Sequence, residues 1–399
     1  MRKLLILVIN LFILSCVFDP ADIVFGLKVP LFCLSWFVFI IYKRDIDMLK
    51  IPRTLGMYVF LMIFLPIVSI IYYYISNGAQ PYAGFSLLKA HMLISFSFLL
   101  YLSKINLIRS LCVILTLLAI SIIMIYVVVL IYPLVFIPLY KFGLENEIFY
   151  IGEREYSADL KLWSIFFATS PMLAFSIAYY VQMAIVSFQK RAYIILATIS
   201  IVGMFLAGTR NNMVTSILLP TVLLILGSRH KVLFSAISFC FFIGFANYFS
   251  GSILTMLDPL EKSNNTKLGM LSDYATIFSN PVDLLFGQGI GSYYNWKFRG
   301  ANFVTELTYL EIIRNFGIIM GLIIFQLLLY PVVYAFYLNK SFKEKHLIVA
   351  YIFYLLMSIT NPLFFASLGM LILSILLANI FIERYKLSIE RTEKKRNIG

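Results

Sequence analysis

Four cations stand where a chain this apolar has little reason to keep them: Arg210 in "FLAGTRNNMVTSILL", Lys89 in "GFSLLKAHML", Arg314 in "ELTYLEIIRNFG" and Arg154 in "GEREYSADL". Arginine grips phosphate oxygens through paired hydrogen bonds from a planar fork, and lysine supplies a point charge. Amides and carboxylates beside such cations suit hydroxyl groups. Asn211 and Asn212 follow Arg210 directly, while in helical geometry Thr308, Glu311 and Asn315 share one stripe with Arg314 on the adjoining position. The pattern fits a ligand with an anionic head that continues into a polar, hydroxyl-rich chain. The candidates for chemistry are Arg210, Glu311, Arg314 and Glu306; those for binding are Lys89, Arg154, Asn211, Asn212, Asn302 and Asn315.

Each candidate also has a plainer reading. An arginine at a membrane interface bonds headgroups or nearby carbonyls. Glu311 and Arg314, one helical turn apart, compensate each other as an ion pair. Arg154 sits between two glutamates. His91 lies about 200° round a helix from Lys89 and reads as a buried polar bond to a neighbouring helix. Cys16, Cys33, Cys112 and Cys240 all fall inside apolar runs, without the spacing of a metal or redox motif, and read as packing residues. Neither a metal nor a cofactor is expected.

The elements that must position these side chains are membrane helices. Hydrophobic residues make up 61% of the 399 and charged residues only 13%, against about 25% charged in soluble domains. The mean hydropathy is +0.93. A run of roughly 18 or more apolar residues can cross a bilayer, and it must do so as a helix because hydrocarbon offers the backbone no hydrogen bonds. Apolar runs fall near 4–18, 29–42, 55–76, 84–103, 110–134, 162–187, 192–208, 213–228, 232–250, 316–338, 347–360 and 363–382. The sequence therefore predicts an all-α polytopic integral membrane protein, one domain over 1–399, with about twelve transmembrane helices. The opening "MRKLLILVINLFILSC" reads as the first of them.

With the N-terminus in the cytoplasm, the short loops "YKRDIDMLKIPR", "SKINLIR", "QKR", "SRHK" and "NKSFKEKH" and the basic tail 383–399 all lie inside. That side then holds 21 of the 32 Lys and Arg with 6 of the 19 acids, leaving 11 basic and 13 acidic residues elsewhere. This is the positive-inside bias, and it places both termini in the cytoplasm. The net charge of +13 is thus a topology signal and not a nucleic-acid surface. Three segments remain outside: "NGAQPYAGF", residues 138–161, and the large loop 251–315. "GTRNN" then sits at the outer mouth between two spans, and Glu311, Arg314 and Asn315 ride at the outer membrane surface ahead of a helix whose core begins near Gly317. "FGQGIGSY" follows no strand of a βαβ unit. It predicts a tight turn after a short amphipathic helix, not a dinucleotide fingerprint.

At this point the chain resembles a family. "LAGTRNNMVTSIL" looks like the arginine motif of Wzy-type O-antigen polymerases and the related O-antigen ligases, and "NPVDLLFGQGIGSY" and "NFVTELTYLEIIRNFGIIMGLI" are similar to their late-loop elements in the same order. The resemblance implies a GT-C-like fold and an inverting, metal-independent glycosyltransferase at the outer face of a bacterial inner membrane. Its substrates would be undecaprenyl-diphosphate-linked oligosaccharides, and its partners membrane lipid, a chain-length regulator and a flippase, with no nucleic acid. Arg210 would neutralise charge on the leaving diphosphate, supported by Arg314, Lys89 and Arg154. Glu311 or Glu306 would assist the acceptor hydroxyl, and the loop tyrosines and Trp296 would stack on sugar rings. There is one departure: where ligases and many relatives carry a histidine before the late asparagine, this chain has Ala301 before Asn302. That weighs toward polymerase over ligase. A flippase or other transporter would also have about twelve spans, but would keep its charges within helices around a midplane site.

Overall fold

A computed structural model describes residues 1–43, 51–77, 82–157, 160–227, 235–236, 262–297, 300–338 and 344–396. The run at 232–250, apart from residues 235–236, lies outside the described residues. So do 251–261 of the large loop, and 44–50, 228–231 and 339–343 of the inner loops. The described helices are α1 (Arg2–Phe18), α2 (Lys28–Tyr42), α3 (Arg53–Asn77), α4 (Tyr82–Met92), α5 (Phe96–Ser103), α6 (Ile108–Ile131), α7 (Phe136–Glu145), α8 (Leu173–Val186), α9 (Lys190–Leu206) and α10 (Arg210–Gly227). After the undescribed stretch come α11 (Lys262–Phe278), α12 (Pro281–Phe286), α13 (Thr308–Leu338), α14 (Lys345–Met357) and α15 (Ser367–Arg396).

Among the described residues, six helical stretches, 53–76, 82–103, 108–131, 210–227, 308–338 and 367–387, are long and apolar enough to cross a membrane, and shorter apolar helices cover 28–42, 170–186 and 345–360. The shortest of the six spans about 27 Å at ~1.5 Å per residue, close to the ~30 Å of a hydrocarbon core. Only 39% of α6 is buried among other helices, and Leu117, Met124 and Ile131 on its free face are exposed. A stripe of that kind is stable against lipid, not water. By contrast 83% of the 367–387 stretch is buried, which makes α15 the centre of the bundle. This is a multi-pass helical membrane protein.

Helix interruptions are repaired from neighbouring helices, as hydrocarbon demands. Pro331 inside α13 has no N–H to give to the carbonyl four residues back. That carbonyl, of Leu327, accepts instead from the Tyr58 hydroxyl of α3 at 2.7 Å. A 3₁₀ turn over Leu93–Ser95 divides α4 from α5, and Ser374 of α15 donates to the Leu93 carbonyl at 2.8 Å.

Among the described residues, two small hairpins join the helices of this mostly helical fold. Strands β1 (Phe149–Ser157) and β2 (Leu160–Phe167) pair antiparallel with Phe149 opposite Phe167. The smaller β3 (Tyr294–Trp296) and β4 (Gly300–Asn302) pair in the same sense. The run 162–187, expected as one helix, begins as a strand, and α8 starts only after the turn at Ser170–Met172. An aromatic and β-branched stretch such as "LKLWSIFF" is apolar enough for either state, and hydrophobic pattern alone does not separate a short buried strand from a helix. The run 347–382 divides into two helices at "TNP".

The late loop is locked onto the bundle through backbone contacts that leave no room for a Cβ. Asn280 caps α12 by accepting from the Val282 N–H at 3.1 Å, and the predicted tight turn follows. Gly289, at φ +86°, presses on α3 so closely that a Cβ would lie 2.8 Å from the Ser69 carbonyl oxygen. Gly317, at φ 69° and ψ 173°, breaks α13 into two helical pieces, and a Cβ there would lie 2.5 Å from the Leu285 carbonyl carbon. Gly289→Ala therefore combines a left-handed φ, worth about 1–3 kcal/mol, with a backbone clash. It is expected to lower the unfolding temperature of the purified protein by several degrees. Gly56→Ala, with nothing within 4 Å of the new Cβ, leaves it unchanged. Equal unfolding temperatures for the two variants would show that the loop is not seated this way.

Candidate functional site

Arg210, Asn211 and Asn212 form one polar centre, and Thr308, Glu311, Arg314 and Asn315 a second. The first is the α9–α10 turn. Gly208, at φ +70°, ends α9 as glycine does at a helix C-terminus. Thr209 Oγ1 then accepts from the Asn212 N–H at 3.2 Å and starts α10. "GT" is thus a stop and a start, and it puts Arg210, Asn211 and Asn212 in the first turn of α10, fanned by the helical rotation toward different neighbours.

Arg210 Nη1 donates to Asn264 Oδ1 at 2.9 Å, reaching the start of α11 in the large loop. Asn211 Nδ2 donates to Thr360 Oγ1 at 2.5 Å, in the 3₁₀ turn Ser358–Thr360 that follows α14. Asn212, fully buried, donates through Nδ2 to Ser170 Oγ at 2.8 Å ahead of α8. Its Oδ1 meets no partner among the described atoms. Arg210 itself is half-buried. It stands at the first position of α10, the helix end whose dipole favours anions.

The second centre is the start of α13, where Thr308, Glu311, Arg314 and Asn315 have 0% of their surface exposed. The expected stripe is therefore helical but does not lie open at the membrane surface. Arg314 and Glu311 form a two-pronged ion pair, Nη2 to Oε1 at 2.5 Å and Nε to Oε2 at 3.1 Å. The remaining guanidinium hydrogens go to the Phe303 carbonyl at 2.9 Å, and to Ser292 Oγ and the Ser292 carbonyl at 2.7 and 3.1 Å. A longer contact reaches Gln288 Oε1 at 3.4 Å.

The carboxylate is equally saturated. Glu311 Oε1 also accepts from Asn315 Nδ2 at 3.0 Å, and Oε2 from the Tyr274 hydroxyl at 2.6 Å and Thr305 Oγ1 at 3.2 Å. Burial first, then the Glu311 charge and hydrogen bond, push the Tyr274 phenol well above its ordinary pKa, so it stays a donor. With no free donor and no open face, Arg314 has nothing left for a phosphate and Glu311 no lone pair aimed at an acceptor hydroxyl. The plainer reading of this pair, mutual compensation, is the one the geometry follows.

Trp296 departs from expectation in the same way. It is 2% exposed, its ring 4.9 Å from Tyr274 and 5.6 Å from the Arg314 guanidinium carbon, so it caps the ion pair and is closed to sugar. Asn302 Oδ1 accepts from the backbone N–H groups of Phe303 and Val304 at 2.7 and 3.2 Å and shapes the turn into α13. Its carbonyl accepts from Trp296 Nε1 at 3.3 Å.

Lys89 is exposed on α4 and is not drawn into either centre. His91 is buried but bonds the Leu87 carbonyl of its own helix at 3.0 Å, not a neighbouring helix. Arg154 lies on β1 opposite Leu162, and its side chain falls outside the described residues. Glu306 is half-buried in the loop ahead of α13.

The two centres are joined by α11, which meets Arg210 at Asn264 and Glu311 at Tyr274. These contact points are about 15 Å apart at ~1.5 Å per residue. They are joined again at residues 360–361, where the Asn361 carbonyl accepts from Thr308 Oγ1 at 2.5 Å. Reading the sequence did not single out Tyr274, Gln288, Ser292, Thr305 or Ser69. Ser69 Oγ takes the Ile290 N–H at 2.9 Å and gives to the Asn315 carbonyl at 2.6 Å. A serine in an apolar helix, 246 positions from its partner, carries no local signal. Comparison with known proteins gives no matching family model and no matching curated relative.

Proposed function

We propose that this chain is a polysaccharide repeat-unit polymerase. It would transfer a growing glycan from undecaprenyl diphosphate to a hydroxyl of an incoming lipid-linked repeat unit, at the outer face of a bacterial inner membrane. The fold in this reading is GT-C-like with about twelve spans, counting 232–250 as one, and both termini cytoplasmic. In the reaction the acceptor oxygen bonds the anomeric carbon as the bond from that carbon to the diphosphate oxygen breaks. The electron pair leaves on the diphosphate, and the proton of the acceptor hydroxyl passes to an assisting carboxylate.

The observation that carries this reading is the setting of Arg210: a half-buried fork in the first turn of an apolar helix, beside a docked loop. Preorganised positive charge in a partly dehydrated site stabilises the charge that develops on a leaving diphosphate. Of the two carboxylates considered for the acceptor, Glu306 retains exposure and Glu311 does not, so Glu306 is assigned the assisting role. Lys89, exposed on α4, is left to attract anionic lipid.

The deciding experiment is a glycan profile of a strain lacking the gene. One repeat unit per lipid core, with long chains gone, is the expected result. No units on the core, with free lipid-linked polymer accumulating, would instead identify a ligase. Absence of any extracytoplasmic repeat unit would identify a flippase.

A further inference from the structure

Where the C-terminal end of α3 meets the glycine turn of the late loop there is a cleft of about 260 Å³. Its walls are Tyr72, Tyr73 and Ser76 on one side and Asp283, Gln288 and Tyr293 on the other, with Gly287 and Ser292 at its base. The geometry points to a neutral-sugar subsite, one that seats one or two rings of the lipid-linked glycan. The assignment rests on the polymerase reading and adds to it the place where the sugar, as opposed to the diphosphate, is held.

The chemistry of the walls separates ligand classes. Among the described residues that line it, none is a lysine or arginine, and a carboxylate faces the space, so a phosphate would meet repulsion without a counter-charge there. The walls carry hydroxyls, an amide and a carboxylate, which rules against a prenyl tail. Planar amides and carboxylates with tyrosine rings are what sugar hydroxyls and C–H faces bind, and Tyr293 offers its ring at 60% exposure. A volume slightly below the ~300–1,000 Å³ of ordinary ligand clefts leaves room for a ring or two and no more.

The polar groups are also held in place before any ligand arrives. Gln288 Nε2 donates to Asp283 Oδ2 at 3.3 Å, its Oε1 accepts from Arg314 Nη1 at 3.4 Å, and its backbone N–H donates to the Arg314 carbonyl at 2.6 Å. Ser292 is fixed by the same guanidinium. Asp283 keeps acceptor capacity beyond that one bond. The buried ion pair therefore acts as a strut behind one cleft wall, which gives the saturated Glu311–Arg314 pair a positioning role without contact to substrate. Preset groups of this kind lose little freedom on binding.

The test uses the full-length protein in nanodiscs with two probes: the repeat-unit oligosaccharide released by mild acid from the host's lipid-linked intermediates, and inorganic diphosphate. Saturation-transfer NMR titrations of wild type, Asp283→Asn, Tyr293→Ala and Tyr293→Phe are compared, with unfolding temperatures measured alongside. The expected result is at least a tenfold loss of oligosaccharide affinity in Asp283→Asn and Tyr293→Ala, retention in Tyr293→Phe, and no change in diphosphate binding or unfolding temperature. Unchanged oligosaccharide affinity in both weakened variants would overturn the subsite, as would a loss confined to diphosphate. Failure of the polymerase reading shows itself separately: a gene-deletion strain with normal long chains removes that reading, while sugar affinity lost in the two variants still supports the cleft.

Discussion

Arg210→Ala is expected to abolish long-chain polymer while leaving the amount of folded protein in the membrane unchanged. The side chain is half-buried at a helix start, so its removal takes away a charge without emptying a fully buried site. Loss of one preorganised electrostatic group at a developing anion lowers turnover about 10²–10³-fold, enough to leave single repeat units as the visible product. Arg210→Lys should restore only part of the chain length, because a point charge replaces a two-pronged fork. Asn264→Ala separates the alternatives, since it removes the hydrogen bond at 2.9 Å and keeps the cation. Near-normal chains in Asn264→Ala with none in Arg210→Ala would assign the effect to charge at the site. Normal chain length in Arg210→Ala at equal expression would reduce this arginine to an interfacial anchor.

The second large effect concerns stability. Glu311→Gln or Arg314→Gln alone leaves one fully buried charge without its partner, a change that costs about 3–5 kcal/mol when a buried pair is broken. The double substitution removes both charges, while the shorter amide at position 314 gives up the guanidinium's bonds to Phe303 and Ser292. It is expected to be more stable than either single variant, the signature of direct coupling. The check is the unfolding temperature of the three purified variants, together with polymer length normalised to folded protein. Recovery of both in the double variant would reduce the pair to mutual charge compensation and remove its role as a strut. A double variant that is as stable as wild type yet inactive per folded molecule would return Glu311 and Arg314 to the reaction itself.

Much of this architecture is legible in the chain, because its signals are local. Twelve apolar runs and the basic bias of the short loops mark a multi-pass helical membrane protein before any coordinate is known, since hydrocarbon leaves the backbone no other solution. "GTRNN" carries its own helix stop and start, and "NPVDLLFG" its own cap and turn. Thr308, Glu311 and Asn315 fall on one stripe because helical spacing requires it.

The tertiary structure decided how deeply each of these polar groups is buried. Arg210 and Arg314 look alike as isolated cations ahead of apolar stretches, yet one is half-buried in a first turn and the other is sealed by Ser292, Phe303, Glu311 and Trp296. The same holds for "LKLWSIFF", whose strand state depends on the partner strand at 149–157, and for the glycines of the late turn, whose necessity appears only where α3 approaches. Pattern and propensity act over a few residues. Burial and hydrogen-bond saturation are set by neighbours far away in sequence, and that saturation marks Glu311 and Arg314 as a structural ion pair.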